Sequence, residues 1–138
     1  MAKRVLTNAF FSVNAVDLSS RVRQVTVNYE GDAVEDTTMG AGTHTFLGGL
    51  KNYSIEVTFA QDFAASNVDA TMFGLIGTAV AVEVRGDTAA RSSTNPGYNA
   101  TMLVQSYNPF GTAVGALHEA TATFVPGGAS PTLLRSTA

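Results

Sequence analysis

The chain contains no cysteine, so it has neither a disulfide framework nor a thiolate metal site. It also lacks tryptophan and has only two histidines, His44 and His118, far apart in sequence. A zinc site needs three or four ligands at short spacing, so neither histidine reads as a ligand. Charge is scarce: 14% of residues are Asp, Glu, Lys or Arg, against a usual share of about 25%. Little charge leaves a neutral surface of Ala, Thr, Ser, Asn and Gly, better suited to burial against partners than to free solvation. No long apolar run exists. The greasiest stretch, residues 75–84, is interrupted by Gly77, Thr78 and Glu83 and is too short to span a bilayer. The first ten residues carry Lys3 and Arg4 but no apolar core after them, so they do not read as a signal peptide. The expectation is a soluble chain made in the cytoplasm.

Catalytic patterns are missing as well. There is no Gly-x-Ser-x-Gly elbow and no phosphate-binding loop. Gly40-Ala41-Gly42-Thr43 echoes the start of a dinucleotide fingerprint but lacks the third glycine and a following helix. The adjacent carboxylates Glu35 and Asp36 have no supporting acid, base or nucleophile. The reading is a non-enzyme without cofactor or metal.

What is present is alternation. Phe11, Val13 and Ala15 alternate with polar residues, as do Val25, Val27 and Tyr29, then Tyr53, Ile55, Val57 and Phe59, then Val80, Val82 and Val84. Period two places one face of each strand on a core. Residues 101–107 carry apolar side chains on both faces and read as a strand covered on both sides. Residues 117–125 place Ala120, Ala122 and Phe124 on one face. One helix is expected over residues 66–76. Ser66 and Asp69 sit at nearly the spacing of a capping box, Val68, Met72, Leu75 and Ile76 share one face, and Gly77 ends it. At 138 residues the chain is read as one domain, residues 1–138, mainly β with one short α-helix.

The net charge is −3, whereas a chain that grips DNA is normally basic. Glu30, Asp32, Glu35 and Asp36 cluster, and no Lys or Arg stands between Arg23 and Lys51. Such a cluster is either a solvated hairpin or a negative surface past which DNA slides. Residues 31–49 are rich in Thr, Gly and Ala. Two ragged strands, 33–38 and 43–47, flank a tip at Met39-Gly40-Ala41-Gly42. This stretch has too few apolar residues to stabilise itself. It either orders against another subunit or is a surface loop.

Several short pieces recur in a telling order: Asp17-Leu18-Ser19-Ser20, Val34-Glu35-Asp36-Thr37-Thr38-Met39-Gly40, Gly48-Gly49-Leu50, Gln61-Asp62-Phe63, Asn95-Pro96-Gly97-Tyr98 and Tyr107-Asn108-Pro109-Phe110-Gly111. From about Phe11 onward the chain resembles the tail tube proteins of long-tailed bacteriophages. The resemblance implies a β-sandwich or barrel-like fold with a long protruding hairpin, and a structural role. Six copies would form a ring whose strands build a continuous inner barrel, and rings would stack into a conduit for DNA. The implied partners are further copies of the chain, other tail proteins such as the tape measure and the tail terminator, and double-stranded DNA that passes without specific binding. The implied location is the virion tail, with the host cytoplasm as the place of assembly. By the same resemblance the inter-ring hairpin is Val34, Glu35, Asp36, Thr37, Thr38, Met39, Gly40, Ala41, Gly42, Thr43, His44, Thr45, Phe46 and Leu47. Glu30, Asp32, Glu35 and Asp36 are the candidate lumen carboxylates, with Glu56, Glu83 and Glu119 as second choices. Two other classes remain open: a capsid decoration or head-to-tail completion protein, and a ligand-binding or adhesive β-sandwich. The last dozen residues, 127–138, read as a loop, either mobile or paired as an edge strand.

Overall fold

The computed structural model describes Lys3, residues 5–128 and residues 132–137. Its framework is one antiparallel sheet. The strands are β1 (Phe10–Val13), β2 (Val16–Asp17), β3 (Val22–Glu35), β4 (Phe46–Ala60), β5 (Ala79–Arg85), β6 (Gly97–Asn108), β7 (Glu119–Pro126) and β8 (Leu134–Ser136). Their order is β2-β1-β5-β6-β7-β4-β3, with β8 pairing β6 off that path. The expected mainly β fold with one short helix is the fold observed.

The sheet rolls around its apolar face. The Phe11 ring on β1 lies 5.7 Å from the Phe59 ring on β4, although β5, β6 and β7 separate those strands in the sheet order. Phe11 also lies 6.0 Å from Phe124 on β7. Alternation accounts for the rest of the core: Val13, Ile55, Val57, Val82, Ala120 and Ala122 are all buried. The roll is incomplete. An apolar cleft lined by Leu6, Val25, Val27, Tyr29, Val84 and Tyr98 separates β3 from the β5–β6 side.

Three details differ from expectation. Ala15 is not a strand residue. Asn14 and Ala15 both have positive φ (50° and 66°) and form the two-residue connection between β1 and β2, as right-twisted hairpins require. A register shift places Tyr107 differently from expectation, while Leu103 stays on the opposite face, half-buried. Val104 pairs with Phe124 and Ser106 with Thr123, so Gln105 is an extra residue. The shift returns Tyr107 to the face of Met102 and Val104.

The helix is shorter than expected. Helix α1 spans Val68–Met72, and Phe73–Leu75 continue as a 3-10 turn. Asn67, not Ser66, is its N-cap, without a side-chain cap bond, and Ser66 has a φ of 62°. Asp69 does not reach back to a cap because it accepts the Tyr107 hydroxyl at 3.0 Å. The tightened last turn brings the Gly77 amide to the Val104 carbonyl (3.0 Å). Val68 and Met72 are buried as the apolar stripe requires, Leu75 is half-buried, and Ile76 is exposed.

The C-terminal segment does pair. Leu134 to Ser136 bond to Asn99 through Gly97, in line with the end of β7. Residues 129–131 and 138 lie outside the described residues. Gly127 allows the crossing, because a Cβ there would stand 2.8 Å from the Leu103 amide nitrogen.

The Asn95-Pro96-Gly97-Tyr98 piece has a structural job. The buried Asn95 amide donates to the carbonyls of Asp87, Ala89 and Ala90 (3.3, 2.9 and 3.2 Å) and ties the loop together. At Gly97 a Cβ would meet Glu83 Oε2 at 2.6 Å and Arg91 Nε at 2.9 Å. Glycine therefore makes room for the two-pronged bond from Arg91 to Glu83 (2.9 and 2.8 Å). That bond, with the charges of Arg91 and Arg85, holds the Glu83 carboxyl below its ordinary value against the effect of burial. A depressed folded value means stabilisation that is present above the unfolded value near 4.5 and is lost as pH falls through the lower folded value. Glu83→Gln should flatten this acid limb in urea melts run across pH 3–6. An acid limb as steep as that of the parent protein would contradict the assignment.

Candidate assembly surfaces

The feature that stands out is an arm. Strands β3 and β4 leave the sheet together as one hairpin, and from 28 to 52 every residue except the half-buried Thr37 is exposed. The ragged strands expected at 33–38 and 43–47 are instead the outer ends of β3 and β4, which continue from the core-facing stretches with one register shift between Gly31 and Ala33. That continuity explains why so polar a ribbon is ordered. The ladder is nucleated in the core between Val25 and Val57 and propagates outward through the pair Glu35–Phe46. At about 3.3 Å per residue, the eight residues from Asn28 to Glu35 carry it roughly 25 Å beyond the sheet.

The tip is closed by polar bonds. The Asp36 amide donates to the Thr45 carbonyl (2.9 Å), the Thr45 amide to Thr37 Oγ1 (2.9 Å), and the Thr45 hydroxyl to Asp36 (2.7 Å). His44 Nδ1 meets the Glu35 carboxylate, so this histidine is a strut of the arm. Gly40, with a φ of 88°, makes the turn beside Met39. Val34, Met39, Phe46, Leu47 and Leu50 are all large apolar side chains left exposed on the arm. The arm also holds four of the eleven carboxylates and one of the eight Lys and Arg residues. It therefore carries the whole net charge of −3, and the rest of the chain is balanced.

The four candidate carboxylates do not share a surface. By the period of two along β3, Glu30 and Asp32 fall on the face of Gln24, Thr26 and Asn28, and Glu35 falls on the other. Asp36 lies just past the strand, on Thr45. The Glu30 face continues across β4 and β7, because Thr26 pairs with Glu56, Asn28 with Ser54, and Glu56 with Thr123. The result is a polar wall of Thr, Ser, Asn and Gln with Glu30, Asp32 and Glu56 as its carboxylates. Glu83 is engaged by Arg91, and Glu119 by Arg23 at 2.9 Å.

A third surface has no counterpart in the sequence reading. Phe63 comes from the connection after β4, Phe110 and His118 from the two ends of the β6–β7 connection, and they meet at the end of β4 opposite the arm. No local spacing brings them together, so only the folded register reveals the cluster. Among the described residues no group of three or more His, Asp or Glu could hold a metal ion, and no helix is long and apolar enough to cross a membrane.

The fold is shared with chains of known particles. A chain of the virion of a native gene transfer agent (GTA) particle matches with a TM-score of 0.71 and 11% identity, over 92% of this chain and 95% of its own. A chain from the tail of an empty GTA particle, computed with helical refinement and C6 symmetry, matches with a TM-score of 0.64 and 14% identity, over 83% and 82%. The resemblance read from the sequence thus holds at the level of fold. No protein-family model matches the chain, and no curated protein does.

Proposed function

We propose that this chain is a structural tail protein that assembles into six-membered rings stacked as a tube, through which DNA passes without specific binding. The carrying observation is the arm: ordered, about 25 Å long, with Val34, Met39, Phe46 and Leu47 exposed among polar residues on its outer half, and exposed along its length among the described residues. Soluble monomers rarely keep such a patch uncovered. Lateral contacts have a ready element too. β3 is the last strand of the sheet and pairs only with β4 among the described residues, so its outer edge offers backbone donors and acceptors along 14 residues. Ring closure covers such edges. The GTA tail chain of similar fold belongs to a particle of C6 symmetry, which supports the same copy number here. Tape-measure and terminator proteins are the natural neighbours inside and at the end of such a tube, and the virion tail is the location.

Sedimentation velocity over a concentration series tests this reading. The expected result is growth without an upper limit as rings add to rings. A single closed species at every concentration would favour a decoration or head-to-tail completion role. A monomer that binds a small ligand in the apolar cleft would favour the adhesive class.

A further inference from the structure

The arm and the aromatic cluster occupy opposite ends of the same strand. β4 begins at the arm with Phe46 and ends at Ala60, three residues before Phe63. There the Phe110 and His118 rings stack at 4.9 Å. Phe63 stands 6.0 Å from Phe110 and 5.5 Å from His118. These rings do not close on the core: Phe63 is 55% and Phe110 72% exposed, and Leu117 beside them is exposed too.

The platform is held rigid from beneath. Gln61 donates through Nε2 to the Pro109 carbonyl and to the Tyr107 hydroxyl, each at 3.0 Å. The Tyr107 hydroxyl donates in turn to Asp69. The His118 Nε2–H donates to the same Pro109 carbonyl at 3.1 Å. Two arginines flank the rings. Arg21 bonds Asp62 at 2.7 Å, next to Phe63, and Arg23 bonds Glu119 at 2.9 Å, next to His118. Arg23 is half exposed, so its guanidinium is accessible to a further acceptor.

We propose that this platform receives the arm tip of a second copy of the chain, with Met39 seated on Phe63, Phe110 and His118, and with Glu35 and Asp36 of the arm facing Arg21 and Arg23. The proposal rests on the stacking reading above and names the surface that stacking uses. Geometry supports it first. A contact between two different patches at opposite ends of one element is head-to-tail, and each added copy presents the same pair again, so growth is open-ended. Chemistry supports it second. A flexible thioether packs well on aromatic edges and faces, and the half-exposed Arg23 guanidinium, bonded to Glu119 through Nη1, has further N–H groups for an arm carboxylate. Both partners are already ordered in the single chain, which lowers the entropic cost of docking.

Cross-linking in this cysteine-free chain gives a direct test. Ala41→Cys places a thiol at the arm tip, and Leu117→Cys places one beside the platform, leaving Met39 and all three rings intact. The double variant, assembled and treated with a short bis-maleimide, should give a ladder of covalent oligomers. The two single variants mixed should give one heterodimer band, and each alone should stay uncoupled. Assembled particles without the 41–117 cross-link would overturn the platform assignment while leaving the stacking reading intact. Coupling of Ala41→Cys to itself would overturn it in favour of tip-to-tip contact. Absence of any assembly would overturn both. As a second readout, Phe110→Ala, folded by circular dichroism, should raise the concentration needed for elongation about tenfold or more, as truncation of a central aromatic anchor does. An unchanged threshold would count against the platform.

Discussion

A chain in which residues 31–51 are replaced by Asn-Gly is expected to fold and to lose all capacity to form tubes. The cut falls just beyond the pair Glu30–Asn52, which then flanks a two-residue hairpin connection. It removes Val34, Met39, Phe46, Leu47 and Leu50 together, the apolar side chains the arm leaves exposed. The folded subunit should hardly register the loss. None of the excised residues belongs to the core cluster. The measurement pairs a thermal melt with electron microscopy at high concentration. A melting temperature within a few degrees of the parent protein and an absence of tubes are the expected results. Tubes of normal diameter from the shortened chain would assign stacking to another surface.

The second large effect concerns the polar wall. In a ring, every carboxylate on the lumen side is repeated once per subunit, so Glu30, Asp32 and Glu56 would form negative collars. Charges within a Debye length, about 8 Å in physiological salt, reinforce one another. Such a wall keeps phosphates off its surface and leaves DNA to slide. Reversing all three with Glu30→Lys, Asp32→Lys and Glu56→Lys should turn the wall into a binding surface. Tubes carrying the changes should retain double-stranded DNA protected from nuclease. That retention should fall by about 10³-fold or more between low and physiological salt, as expected where several phosphates are neutralised together. Tubes of the parent protein should retain none. DNA that binds the variant tubes but stays open to nuclease would place this face outside.

Much of the fold was legible because each core strand carries its own record of which face is buried. Phe11 and Val13, Ile55 and Val57, and Ala120, Ala122 and Phe124 announce the core by period two and are buried. The misses have physical causes that no local pattern carries. The extra residue at Gln105 is a property of the pairing with β7, so Tyr107 looked as if it shared a face with Leu103. The helix starts later than Ser66 because that residue has a φ of 62° and the Asp69 amide donates to the Asp62 carbonyl, outside the helix. The carboxylate cluster read as one surface although its members alternate. Glu30 and Asp32 differ in parity from Glu35, and the period of two was enough to separate them. The arm was legible as a hairpin, but its order was not, because its stability is borrowed from the core ladder rather than made by its own side chains. The platform of Phe63, Phe110 and His118 was invisible, since it joins two connections far apart in sequence, one after β4 and one between β6 and β7.

Cryo-electron microscopy of the concentrated protein tests the central claim most directly. The account predicts hollow stacks of rings, with the arm of each subunit crossing to the next ring and the face of Glu30, Asp32 and Glu56 turned toward the channel. Discrete monomers, or single rings that never stack while their arms lie against their own subunits, would contradict it.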